Sequence, residues 1–129
     1  MTQEDYNKLS SQIVAAAIEV HKELGPGLLE SVYETCFLNE LYSRNIHAIN
    51  QVKFPIIYKG KKLEKDFFID ILVEDVIVVE LKSVEVILPV HEVQLLTYLR
   101  LADKKLGLLI NFNVPILKEG IRRRINGYF

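Results

Sequence analysis

VVELKSVE, residues 78–85, decides the reading of this chain. It begins as the apolar run that fills the middle of a sheet, yet it sets Glu80 and Lys82 where the apolar pattern should continue. Side chains alternate between the two faces of a strand, so Glu80 and Lys82 point to one side and Leu81 to the other. Burying opposite charges costs several kcal/mol unless something compensates them, and positions that keep such charges are often chemical rather than structural.

The neighbouring sequence places this strand. AINQVKFPIIYKG (48–60), KLEKDFFIDILVED (62–75) and VIVVELKSVEV (76–86) are rich in β-branched and aromatic residues. Lys59-Gly60-Lys61 and Glu74-Asp75 punctuate them, which predicts three consecutive antiparallel strands. Upstream, Ile13, Val14, Ala17 and Ile18 predict a helix over 5–23, stopped by LGPG at 24–27. Leu29, Val32, Tyr33, Phe37 and Leu41 predict a second helix over 28–44, with Glu30 in the first turn, where the helix dipole favours an acid. Downstream, Pro89 opens a third helix to about 103, KLGLLINF returns as a strand, and the tail from Lys118 reads as a short basic helix.

The hairpin register carries the chemistry. A two-residue turn at 74 and 75 would oppose Asp70 to Val79 and send Glu80 to the other face, whereas a three-residue loop sets Val73 against Ile77 and Asp70 against Glu80. In the second register two carboxylates stand side by side with the Lys82 ammonium next to them. Like charges so close need a proton or a cation between them, and a hard oxygen-seeking ion such as Mg²⁺ fits. The plainer reading makes Asp70 and Glu80 solvent-facing residues on an open sheet face, with Lys82 as a surface ion-pair partner. The helix that follows adds Gln94 and Tyr98 one turn apart on one face, in HEVQLLTYL (91–99).

Composition frames these readings. The 129 residues suit one domain, 50 % are hydrophobic, and 26 % are charged with a net of −1, so no overall basic field advertises nucleic acid. Cys36 is the only cysteine, so no internal disulfide forms; no apolar run reaches the length of a membrane span; and the polar start MTQEDYNKLS is unlike a secretory signal. A cytoplasmic protein without membrane contact is the expectation.

Asp70, then Glu80-Leu81-Lys82, then Gln94-x-x-x-Tyr98 resemble the PD-(D/E)XK nuclease superfamily, in particular its RecB-like branch, which has a Gln-x-x-x-Tyr helix after the lysine strand. GPGLLESVYE (25–34) adds Gly27-x-x-Glu30-x-x-Tyr33, similar to the signature of the GxxExxY protein family of that superfamily. VHKELGPG, HEVQLLTYL and LGLLINFNVP extend the resemblance over nearly the whole chain, although Ile69 stands where the motif's proline would precede the aspartate.

The resemblance implies a single α/β domain over 1–129 with a three-layer, restriction-endonuclease-like core, a central mixed sheet flanked by helices. It implies a nuclease using Mg²⁺ or Mn²⁺, with Asp70 and Glu80 as metal ligands and Lys82 placing or activating the attacking water. Glu30 becomes a further acidic ligand or water-positioning group, and Gln94 and Tyr98 orient ligands or touch the backbone phosphate. The expected partner is nucleic acid, DNA ahead of RNA, and the small size leaves room for a homodimer or larger complex. The contrasting expectation is a non-catalytic accessory module of the same fold that binds nucleic acid or a protein.

Other residues have two readings each. Glu30 can be a first-turn acid only, and Tyr33 can be core packing. His21 and His91 each precede a motif, but a histidine on a half-buried helix is more often packed and hydrogen-bonded. Cys36 reads as a small apolar group. Lys59, Lys61, Lys62 and Lys65, with Arg122 to Arg124, either meet phosphates or form solvated surface.

Overall fold

The computed structural model describes residues 1–129. Helix α1 spans Gln3–Leu24 and α2 Glu30–Ser43. Strands β1 (Ala48–Tyr58), β2 (Lys61–Val73) and β3 (Ile77–Lys82) follow, then α3 (Pro89–Leu101) and β4 (Leu106–Asn111). A 3₁₀ turn at Leu117–Gly120 leads into β5 (Ile121–Ile125). The five strands lie in sequence order; β3 and β4 are parallel, joined by the crossover through α3, and every other neighbouring pair is antiparallel.

Helix α1 starts at Thr2, whose hydroxyl accepts from Asp5 N–H (3.1 Å) while the Asp5 carboxylate accepts from Thr2 N–H (2.9 Å). Its buried stripe is Ile13, Ala16, Ala17 and Val20. The two alanines allow close packing, and α1 and α2 together cover one face of the sheet through Tyr33, Phe37, Leu41, Ile71, Val79, Leu81 and Leu108. Helix α3 covers the other face, where Leu95 and Leu99 pack on Phe67, Ile69, Leu72, Val78 and Leu109. β3 and β4 carry helices on both faces, and this is why they read as unbroken apolar runs. The closest approach is at Gly107 in β4: a Cβ there would lie 2.7 Å from Leu95 Cδ1 and 3.2 Å from Leu99 Cδ1.

The tail departs from expectation. Residues 121–125 form an edge strand antiparallel to β4, not a basic helix. Ile121 and Ile125 are four apart, a spacing that puts them on one side of a helix and of a strand alike, so periodicity over so short a run cannot choose. The open edge of β4 chooses, by supplying hydrogen-bond partners. Arg123 then donates to Asn7 of α1 (2.7 Å) and Arg124 pairs with Glu92 of α3, tying the edge strand to both helical layers.

Candidate active site

The hairpin closes with the three-residue loop. Val73 opposes Ile77 and Ile71 opposes Val79, with Glu74 and Asp75 in left-handed conformations (φ 50° and 60°). The ladder stops at that pair, one step short of Asp70 and Glu80. On the other side Gln51 takes φ 49° and drops out of the β1–β2 ladder between the pairs Asn50–Ile71 and Val52–Ile69, so Asp70 is released from both neighbouring strands. Strand β2 turns over here. Ile71 and Val73 pack against α1 and α2, while Phe67 and Ile69, of the same parity, pack against α3.

Side chains replace the missing ladder bonds. Leu81 N–H donates to Asp70 Oδ2 (2.9 Å), and Asp70 N–H donates to Glu80 Oε1 (3.3 Å). The two carboxyl groups are thereby held beside each other where β2 and β3 part. Glu80 is 6 % exposed, and its carboxyl is pushed up to about 9, first by burial, then by the Asp70 charge and the hydrogen bond between the two acids. At neutral pH Glu80 therefore keeps its proton.

The other sequence-predicted residues gather around these two. Lys82, half-buried at the end of β3, opposes the rise at Glu80 and at Glu30. Glu30 is the first residue of α2; burial raises its carboxyl, and the Asp70 charge raises it further. From α3, Gln94 Nε2 donates to the Tyr98 hydroxyl (3.1 Å), and burial followed by the Glu80 and Asp70 charges raises the Tyr98 phenol. Asp70, Glu80, Lys82, Glu30, Tyr98 and Gln94 thus form one electrostatic neighbourhood drawn from β2, β3, α2 and α3.

No group of three or more His, Cys, Asp or Glu side chains lies at metal-ligand spacing, so Glu30 does not close a three-acid cage with Asp70 and Glu80. The pair alone still suits a hard divalent ion. Mg²⁺ keeps most of its waters and takes only one or two protein carboxylates plus substrate oxygens, and two carboxyls held this close suit such a charge between them.

The Gly27-x-x-Glu30-x-x-Tyr33 spacing has a mechanical basis. Gly27 takes φ 96°, which turns the chain into α2 and presents Glu30 at its first turn. Tyr33, fully buried and stacked on Phe112 (4.4 Å between centroids), donates its hydroxyl to Gly25 O (2.5 Å) and accepts from Leu28 N–H (3.2 Å). Tyr33 is therefore a packed residue that fixes the loop leading into Glu30. Ser83, which no sequence motif singles out, donates to Leu28 O (2.6 Å) and ties that loop to the residue after Lys82.

Asn111 lies outside the sequence motifs as well. It is 1 % exposed, accepts from Val84 N–H (3.0 Å) and donates to Val84 O (2.8 Å), holding the exit of β3 against the end of β4. Its one signal in the sequence is a lone amide ending the apolar run LGLLIN. His21 Nε2 bonds Val114 O (2.7 Å), and His91 Nδ1 accepts from Leu88 N–H (3.0 Å) at the start of α3, so both histidines have packing or capping work. Cys36 is half-buried against the α1–α2 core.

Comparison with curated proteins and with solved structures found no match. A model of the PD-(D/E)XK nuclease superfamily matches residues 7–124, from the first turns of α1 to the penultimate residue of β5. The observed mixed five-stranded sheet between helices has the restriction-endonuclease-like architecture of that group. With nearly the whole chain matched and the architecture in agreement, this protein belongs to the PD-(D/E)XK nuclease superfamily.

Proposed function

We propose that this chain is a single-domain, metal-dependent nuclease of the RecB-like branch and GxxExxY family that hydrolyses phosphodiester bonds of DNA in the cytoplasm. The observation that carries the reading is the pairing of the Asp70 and Glu80 carboxyls at the parting of β2 and β3, with Glu80 buried. A binding module has little reason to keep two acids in so unfavourable an arrangement. When Mg²⁺ or Mn²⁺ is bound there, it supplies polarisation of the phosphate and a water of lowered pKa.

The remaining roles fall to the chain's own groups. Asp70 and Glu80 hold the cation, and Glu80 gives up its proton on binding. The Lys82 ammonium lies beside them, suited to orient the attacking water and to offset charge building on the phosphoryl oxygens. Glu30, opening α2 just after a loop braced by Tyr33 and Ser83, adds an acid on the water side. Gln94 and Tyr98 present an amide and a phenol to the backbone phosphate. A homodimer or a larger complex completes substrate recognition.

The test is Lys82→Ala. Its divalent-ion affinity should stay near wild type while cleavage falls roughly a hundredfold or more, the usual scale for a positioned catalytic charge. Lys82→Arg should not rescue, because a planar fork cannot replace a compact ammonium. An inert wild type on single-stranded, duplex and branched DNA and on RNA, with Mg²⁺ or Mn²⁺, would refute the enzyme reading.

A further inference from the structure

We propose that residues 52–69, the outer part of the β1–β2 hairpin, form an arm that grips a single-stranded stretch of nucleic acid and leads it to Asp70 and Glu80. The inference rests on the nuclease reading and deepens it by naming the strand state of the substrate.

Past the pair Ile71–Val79, β2 has no partner except β1, so this part of the hairpin leaves the sheet as a two-stranded ribbon that starts at Asp70. Its inner side is anchored. Phe54 stacks on Phe67 (5.6 Å), and Phe67 packs on Tyr98 (5.0 Å), which joins the ribbon to the candidate site. The ribbon also exposes Phe68 (49 %) near its base and Tyr58 (60 %) near its tip. Each stands opposite a lysine in the register, Phe68 across from Lys53 and Tyr58 across from Lys61, and Lys59 Nζ lies 5.5 Å from the Tyr58 ring centre. Phe68 precedes Asp70 by two positions on the same strand.

Charge points the same way. The arm holds five lysines against Glu64 and Asp66, a local excess of three positive charges in a chain whose total is −1. Lys53 pairs with Asp66, whereas Lys59, Lys61, Lys62 and Lys65 form no ion pair. The other basic run is occupied internally: Arg122 donates to the Glu119 and Ile121 carbonyls, Arg123 to Asn7, and Arg124 pairs with Glu92. Four lysines with neither an ion pair nor a hydrogen bond therefore cluster on the ribbon. Exposed aromatic rings interleaved with lysines suit unpaired bases, which stack on the rings while the ammonium groups follow the phosphates. Intact duplex hides its base faces within its own stack and cannot use the rings.

The experiment is fluorescence anisotropy in EDTA, which keeps cleavage off, with a labelled DNA single strand and the blunt duplex of the same sequence. Wild type should bind the single strand at least tenfold more tightly. Lys61→Ala/Lys62→Ala should lower the slope of log K against log salt by about 1.4, from a single-strand value of about 0.7 for each phosphate left without its lysine. Phe68→Ala should weaken binding about tenfold with the slope unchanged, the signature of missing stacking. Both variants should keep wild-type Mg²⁺ affinity and unfolding midpoint. Equal affinity for duplex and single strand, or a wild-type salt slope in the double-lysine variant, overturns the proposal, as does capture of an acidic protein in place of nucleic acid. Arm-dependent binding without cleavage refutes the nuclease reading and leaves the arm standing. Cleavage with arm variants indistinguishable from wild type does the reverse.

Discussion

Glu80→Gln should make the metal-free protein more stable above neutral pH, by an amount that grows with pH. The carboxyl of Glu80 titrates from its ordinary value of 4.5 in the unfolded chain to about 9 in the folded one. Between those limits the native state holds a proton that the unfolded state has released. Stability therefore falls as pH rises, by up to 1.36 kcal/mol per pH unit for one group. Below the unfolded value both states are protonated and nothing is lost. From pH 5 to pH 8 the wild type should lose about 3–4 kcal/mol, a large part of the roughly 5–15 kcal/mol that holds a domain together. Glutamine has the shape of the protonated acid and can still donate toward Asp70, so the variant should match wild type near pH 5 and exceed it by about that amount at pH 8. Urea unfolding of both proteins in EDTA at pH 5, 6.5 and 8 measures the difference. Parallel curves, or a variant weaker than wild type at pH 8, would mean that Glu80 is not a buried protonated acid and that the pairing with Asp70 is misjudged.

The same proton makes metal binding pH-dependent: Mg²⁺ must displace it, so affinity should rise up to about tenfold per pH unit between pH 6 and 8. Calorimetry in two buffers of different ionisation enthalpy should count about one proton released per ion. Tyr33→Phe removes the donor to Gly25 O and the acceptor for Leu28 N–H, which should cost about 1–3 kcal/mol by thermal unfolding. It should also slow cleavage through a loosened Glu30 loop, and unchanged turnover would detach that loop from the reaction. Gly107→Ala drives a methyl into Leu95 and Leu99, so α3 must shift at about 1–3 kcal/mol by denaturant unfolding. Tyr98, carried on the same helix, should move with it and lower activity beyond what unfolding explains.

Much of this protein is legible in the chain alone. The apolar runs of β3 and β4, the LGPG stop after α1 and Pro89 at the start of α3 fix the elements, because local periodicity and turn chemistry do not depend on distant partners. The period of two narrowed the hairpin to two registers, and the structure chose the three-residue loop that opposes Val73 to Ile77. Tertiary packing decided the rest. Residues 121–125 are a strand because β4 leaves an edge to fill, information absent from five residues whose spacing satisfies helix and strand equally. Tyr33 became a brace because Gly25 O and Leu28 N–H lie within reach of its hydroxyl, and Ser83 and Asn111 gained roles only when the ends of β3 and β4 met the α1–α2 loop and each other. The lysines of the β1–β2 arm and the arginines of the tail look alike in sequence. Folding separates them by engaging one set with Glu92, Asn7 and backbone carbonyls and leaving most of the other without a polar partner, since such a contact depends on what three-dimensional packing brings within about 4 Å.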